Sequence, residues 1–451
     1  MKFIQAFKNY MDAYEDTQSE ALSREISRYC HPIKAAEDLD PLMEAIADAR
    51  VVLLGEASHG THEYYLWRSL ISQRLIREKG FNYIAVEGDW PDCYKLNRYI
   101  KGYQPQYGSA SKVLRKFDRW PTWMWANWEV AALADWLRSY NQGVPRRHMV
   151  GFYGLDVYSL WESMEAMVGY LDHEDRTAAR EVRDLISCFE PYRGEDGQQY
   201  AWASKKVVPA PCQRDVLKLL RRIRERVPTY DHDQEAVLNT EQNAYVVHNA
   251  EKYYRSMISF GPDSWNVRDT HMADTLDRLM RFHGSDAKAI VWEHNTHIGD
   301  ARATDMAADG LVNVGQLVRE RYGRHKVFTL GFGAYRGSVI AADRWGAPME
   351  AMSVPEARKN SWEAILHQAH EGNTLLLSRD LSGQTLMQKP HPHRAIGVVY
   401  DPELERRGNY VPSIIPERYD AFLQFEHTRP LHPMHMPGAS DKTPETYPWG
   451  V

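Results

Sequence analysis

Val51-Val52-Leu53-Leu54-Gly55-Glu56-Ala57-Ser58-His59-Gly60 is the stretch from which the fold is read. Four apolar residues in succession suit a short strand buried on both faces. The glycines permit a tight turn after it, and Glu56 and His59 follow at once. Three more runs end in the same way. Tyr83-Ile84-Ala85-Val86 leads into Glu87-Gly88-Asp89-Trp90, and Met149-Val150-Gly151-Phe152-Tyr153 into Gly154-Leu155-Asp156. Ala289-Ile290-Val291-Trp292 leads into Glu293-His294-Asn295-Thr296-His297. As parallel strands, the four share one carboxyl edge, where open α/β sheets place their ligands. That rim then holds Glu56, His59, Glu87, Asp156, Glu293, His294 and His297, a set that activates water by acid–base chemistry or through a metal.

Helical patterns connect the runs. His62 to Lys79 reads as a helix, with Leu66, Leu70, Gln73 and Arg77 near one stripe, Glu63 in the first turn and Gly80 placed to end it. Strand, helix and strand over residues 51–86 fit a right-handed parallel crossover. A second crossover, from Val86 to Met149, contains the aromatic segment Trp120-Pro121-Thr122-Trp123-Met124-Trp125 and a helix from Asn127 to Asn141. The gap from Asp156 to Ala287 is too long for one crossover helix and reads as a helical insertion. Within it, Ala244, Val247, Ala250, Tyr254 and Met257 mark one long helix. Asn266 with Asp269 resembles an N-cap followed by an acidic third residue, opening a helix toward Met280. The segment Glu190 to Pro211 reads as a loop or lid.

Strands are also expected at Val327 to Phe332, Thr374 to Leu377 and Ile396 to Tyr400, with Gly331-Phe332-Gly333-Ala334-Tyr335 as another rim loop. Ile4, Phe7 and Met11 fall at helical spacing near the start, and Leu39 to Ala49 forms a second helical segment. Pro430, Pro433, Pro437, Pro444 and Pro448 make the end of the chain an extended surface arm or a disordered one. The expected fold class is therefore α/β, with a mostly parallel central sheet flanked by helices. Residues 51–156 and 287–428 form the catalytic core. An N-terminal helical segment (1–50) packs on it, a large helical insertion (157–286) covers the active-site cleft, and a Pro-rich tail (429–451) comes last.

The formal charge of −6 offers no basic footprint for nucleic acid. No apolar run approaches the ~20 residues that cross a bilayer, and Met1 to Glu20 lacks the apolar core and cleavage site of a signal peptide. A cytoplasmic location is expected, with no membrane partner. Cys30, Cys93, Cys188 and Cys212 form no CxxC pair and read as reduced thiols. The 14 Trp and 26 Tyr suit aromatic-lined clefts as well as cores. Nothing in the sequence fixes an oligomeric state.

A carboxylate hydrogen-bonded to an imidazole fixes its tautomer and raises its basicity, so Glu56 and His59 suit a general base acting on water. The competing reading is a helix-capping acid and a core histidine. Glu87 ends a strand and is expected at the rim, with Trp90 and Pro91 as pocket wall. His294 and His297, three apart beside Glu293, suit substrate polarisation, charge stabilisation or metal ligation, against a reading as surface loop histidines. Arg268 either clamps a carboxylate or oxyanion or pairs with Asp269. Arg68 lies two turns along the first crossover helix and can face the same cleft. Glu129 and Asp156 are supporting candidates. Ser58 lacks the setting of an esterase nucleophile elbow. His391, His393, His432 and His435 lie among prolines and read as surface residues.

The motifs Leu54-Gly55-Glu56-Ala57-Ser58-His59-Gly60, Val86-Glu87-Gly88-Asp89, Ser264-Trp265-Asn266-Val267-Arg268-Asp269 and Trp292-Glu293-His294-Asn295-Thr296-His297 resemble the erythromycin esterase family. His393-Arg394-Ala395-Ile396-Gly397-Val398-Val399-Tyr400 resembles its C-terminal part, so the similarity spans nearly the whole chain. The resemblance implies hydrolysis of a cyclic or linear carboxylic ester by activated water. His59 would be the base, Glu56 and Glu87 would orient it or the water, and His294 and His297 would bind substrate or steady charge. Arg68 would fall at a site position. No cofactor is required on this reading. Two alternatives stand beside it. One is a divalent-metal hydrolase with ligands from Glu56, His59, Glu87, His294 and His297. The other is a non-catalytic protein that binds a hydrophobic small molecule in an aromatic cleft.

Overall fold

The computed structural model describes residues 18–193, 200, 211–227, 233–257, 262–381 and 385–436. Among these, eleven strands are formed: β1 (His31–Pro32), β2 (Val51–Leu54), β3 (Tyr83–Asp89), β4 (Gly151–Asp156), β5 (Ala289–Trp292), β6 (Val327–Ala341), β7 (Glu350–Val354), β8 (Thr374–Leu377), β9 (His391–Arg394), β10 (Tyr410–Ser413) and β11 (Ala421–Thr428). The main sheet runs β1-β8-β11-β6-β2-β5-β3-β4, with β7 on the far half of β6, and β9 pairs β10 separately. From β11 to β4 every neighbouring pair is parallel. β8 runs antiparallel to β11, and β1 to β8.

Alternation along the central strands divides the core between the two faces of the sheet. Val52, Leu54, Ile84, Val86, Ile290 and Trp292 pack on one side against Tyr64, Ile71 and Leu75 of the helix His62–Lys79. Val51, Leu53, Tyr83, Ala85, Ala289 and Val291 pack on the other against Met272, Leu276 and Leu279 of the helix Asp263–His283. A sheet covered on both faces needs strands apolar at every position, and the short runs supply them.

The structure is thus mixed α/β, with a largely parallel sheet flanked by helices. The helix His62–Lys79 ends at Gly80 in the left-handed conformation, φ 68°. Its Leu66–Leu70–Arg77 stripe, however, is the less buried side, because Tyr64, Tyr65, Trp67, Arg68, Ile71 and Leu75 face the protein instead. Asn127 caps the helix Trp128–Gln142 by accepting from Val130 N–H.

Between β4 and β5 the described residues are helical. Ala244, Val247, Ala250 and Tyr254 of the helix Gln234–Ser256 build a third core with Met164, Leu171 and Leu219, while Met257 is 40% exposed at the helix end. Asn266 is no cap. The helix begins earlier, at Asp263, and the Asn266 amide instead holds Gly310 O and Val312 N.

Two strand assignments are corrected. Gly331 to Tyr335 is the interior of β6, which continues to Ala341 because β11 pairs along it. Ile396 to Tyr400 makes only single bridges, Ser58 to Ile396 and Ala342 to Val399. The strands β1, β7, β9, β10 and β11 were not anticipated. Cys188 and Cys212, read as thiols, form a disulfide with Cα atoms 5.6 Å apart. Their separation of 24 residues carries no motif, and the packing of helices between β4 and β5 brings them together.

Pro430 and Pro433 bridge Thr61 and Asn127, and Leu431 and Met434 are buried, so the arm packs on the core as far as Met436. Ile4, Phe7 and Met11, Pro437, Pro444 and Pro448, and most of Glu190 to Pro211 lie outside the described residues.

Candidate active site

The carboxyl ends of β2, β3, β4 and β5 deliver Glu56, His59, Glu87, Asp156, His294 and His297 to one edge. At Gly55 the chain passes so close to the next strand's loop that a Cβ would lie 2.1 Å from Asn295 Oδ1, a gap only glycine allows. The Asn295 N–H in turn donates to Glu56 O at 2.8 Å, which ties the two loops together.

His59 Nδ1–H donates to Glu56 Oε1 at 2.9 Å, and Arg68 Nη2 donates to Glu56 Oε2 at 2.7 Å. Arg68, fully buried, sits over the rings of Tyr65 and Trp292. With Nδ1 engaged, His59 keeps its lone pair on Nε2. Burial alone would lower its pKa, but the carboxylates of Glu87 and Glu56 outweigh that and raise it.

The His294 ring lies beside it, with centroids 4.9 Å apart. His294 Nδ1 accepts from Thr296 N–H at 3.3 Å and faces Thr296 Oγ1 at 2.8 Å, so its proton sits on Nε2, a buried atom near the Ala57 backbone with no side-chain partner. Burial, with His59 next to it, holds His294 well below the ordinary histidine range.

The register between β3 and β4 shifts between Val86 and Asp89, and this irregularity re-aims Glu87. Glu87 accepts from His294 N–H at 2.8 Å and from Arg268 Nη2 at 2.6 Å. Burial opposes its charge, and His297, Arg268 and His59 more than offset it, so Glu87 stays far below the usual carboxylate range. Arg268 grips Asp156 with Nε at 2.9 Å and Nη2 at 2.7 Å, and its Nη1 lies 3.0 Å from His297 Nε2. His297 Nδ1–H donates to Asp269, and Trp265 stacks on its ring at 4.6 Å. Arg268 and Asp269 therefore serve different partners and do not pair with each other. Trp265, Asp269 and Tyr158, which lies under the guanidinium, were missed as site residues. Trp265, Arg268 and Asp269 stand at i, i+3 and i+4 on one helix face, the spacing that could have revealed two of them.

A cavity of about 350 Å³ opens beside this cluster. His59, Glu87, Asp156 and Arg268 line its polar end, and its walls include Trp120, Trp125, Tyr158, Tyr254 and Trp345. Asp89, on the same wall, is pushed up to about 7 by burial against the opposing pull of Arg119, 3.0 Å away.

Other expected site residues lie elsewhere. Glu293 does not line the cavity, and His294 and His297 stand behind its wall and not on it. Glu293 is fully buried, neither carboxyl oxygen has a partner, and burial with Glu87 and Asp269 nearby raises it well above the usual range. Trp90 packs inside against Tyr153 and donates to Asn239 at 2.9 Å. Glu129 faces away from the cluster, between His62 and His432. One ligand atom from each of these three lies within 4.8 Å of the others. His393, read as a surface residue, is buried, with Glu363 at 2.6 Å and Asn295 at 3.3 Å.

A guanidinium already holds Glu87 and His297, and Glu56 is taken by Arg68 and His59. The convergent metal-type donors among the described residues are those of His62, Glu129 and His432.

The chain is 24% identical over 398 residues to Erythromycin esterase type II of Escherichia coli, covering 83% of this chain and 91% of that one. The crystal structure of a succinoglycan biosynthesis protein shares the fold at a TM-score of 0.73 and 22% identity, covering 92% of this chain and 98% of the other. A mutant of the erythromycin esterase EreC in its open conformation does so at 0.66 and 17%, covering 88% and 95%. The family model described as Erythromycin esterase matches residues 76–428. With its rim of histidines and carboxylates, the chain belongs to the erythromycin esterase family, within a superfamily of hydrolases.

Proposed function

We propose that the protein hydrolyses a carboxylic ester or lactone by direct attack of water, with His59 as general base. The observation that carries this reading is the pairing of two imidazoles in opposite roles. His59 keeps a lone pair on Nε2 at the cavity wall, and the buried ring of His294, its centroid 4.9 Å from that of His59, keeps a proton on Nε2 that no side chain accepts. His59 removes a proton as the water oxygen bonds to the carbonyl carbon. The carbonyl electrons move to oxygen, where His294 Nε2–H donates to the developing charge, a contact that strengthens only as the charge forms. When the carbon–oxygen bond to the alcohol breaks, His59 returns the proton to the departing oxygen. Acid and alcohol are released and His59 is neutral again.

Glu56 and Arg68 hold the base, while Arg268, Glu87 and Asp156 hold the polar end of the cavity. The aromatic walls suit a substrate with a large apolar body. A panel of esters and lactones, assayed with wild type and with His59→Ala, tests the reading. Turnover lost in the variant, with the fold retained, is the expected result. A clean wild-type protein with no turnover on any of them, and a hydrophobic molecule carried through purification, would replace it with the binding-protein reading.

A further inference from the structure

We infer that His62, Glu129 and His432 form a binding site for a zinc-class transition-metal ion, separate from the catalytic rim, that clamps the C-terminal arm to the core. His62 is the first residue of the helix His62–Lys79, and Glu129 lies in the first turn of the helix Trp128–Gln142. His432 comes from the arm, 303 residues beyond Glu129. His62 Nδ1 lies 2.6 Å and His432 Nδ1 2.7 Å from the same oxygen, Glu129 Oε1. The two rings meet edge to face at 5.4 Å.

Two imidazoles crowding one oxygen is a poor use of a carboxylate with two. The other oxygen has only a long contact from His432 N–H at 3.4 Å. A cation placed among them would accept a lone pair from each, with small shifts of the rings. Two imidazoles and a carboxylate suit zinc, and three protein ligands leave a fourth position for water. His62 and Glu129 are buried, whereas His432 is exposed, so the ion has an entry path.

The surroundings give the clamp a consequence. His62 N–H donates to Arg429 O, Leu431 N–H to Gly60 O, and Trp128 N–H to His432 O. The arm therefore lies across the turn that immediately follows His59. Holding His432 holds that strap in place.

The test uses the full-length untagged protein, stripped with chelator and titrated with zinc alone. Wild type is expected to bind one equivalent and to melt at a higher temperature with zinc. His432→Ala, at an exposed position that folding tolerates, should weaken binding by more than roughly 100-fold, beyond the 10–100-fold that outer-shell partners cost, and lose the thermal shift. His432→Cys, which restores a ligand, should recover both. His294→Ala should bind zinc as wild type does. Cobalt substitution should give the visible absorption of a four-coordinate site in wild type and not in His432→Ala. Equal zinc binding by wild type and His432→Ala would overturn the site, as would binding lost in His294→Ala and kept in His432→Ala.

Discussion

His59 and His294 face each other at 4.9 Å while their protonation tendencies are driven apart, upward for His59 by two carboxylates and downward for His294 by burial. Neighbouring groups whose environments separate their pKa values are the mark of an acid–base pair with divided roles.

Removing either ring should slow turnover without unfolding the chain. His59→Ala is expected to lower kcat by a factor of about 10² to 10⁴, the usual worth of a general base. His294→Ala should lower kcat by about 10² or more with little change in KM, as for a lost oxyanion donor. Steady-state kinetics alongside circular dichroism measure both. A His294→Ala variant that changes KM alone would assign that ring to substrate binding.

The rate should rise with pH as His59 loses its proton. Because its pKa is raised in the folded protein, the acid limb of kcat/KM should have its midpoint above the ordinary 6.5. In Glu56→Gln a raising carboxylate is gone, and the midpoint should fall. Asp89→Asn should leave it in place, although burial pushes Asp89 up to about 7 on the same cavity wall. The linked stability has the opposite sense to the rate. The pairing of protonated His59 with Glu56 and Glu87 stabilises fully below the unfolded-state pKa and is lost as pH climbs through the folded one. A midpoint unchanged in Glu56→Gln would detach His59 from the limb.

Arg268 neutralises two buried carboxylates, Glu87 and Asp156. Arg268→Ala takes the cation from buried Asp156 and leaves Glu87 with only His297, His59 and the His294 N–H, and it should destabilise the fold by about 3–5 kcal/mol, the cost of breaking a buried pair. Arg268→Lys should recover only part, since one ammonium cannot reproduce the fork on Asp156 and the contact with His297. Urea denaturation reads both. Loss below about 1 kcal/mol in Arg268→Ala would mean that water already screens the cluster.

Glu293 should weaken the fold as pH rises. A buried acid with a raised pKa binds its proton more tightly folded than unfolded, so stability falls from the unfolded-state value upward. Glu293→Gln removes the titration and should be the more stable protein at pH 8, by more than about 1 kcal/mol, with the gap closing near pH 4. Parallel melting curves at the two pH values decide it.

The central strands and the rim were legible in the amino-acid sequence because both are written locally. An all-apolar run of four residues has few places other than the middle of a covered sheet, and the residues after it must emerge at the strand's end. Glu56, His59, Glu87, Asp156 and His294 could be read for that reason. Features that depend on distant segments meeting were settled by packing in three dimensions. Glu293 and His294 are adjacent in sequence, yet one is sealed and the other reaches the cluster, because neighbours at a strand end point opposite ways. Glu129 and His432 find each other across 303 residues. His393 is buried because β9 carries it under Glu363, although the prolines around it suggest a surface. No local pattern encodes these meetings, since the partner that satisfies a buried polar group is chosen by packing and not by spacing along the chain.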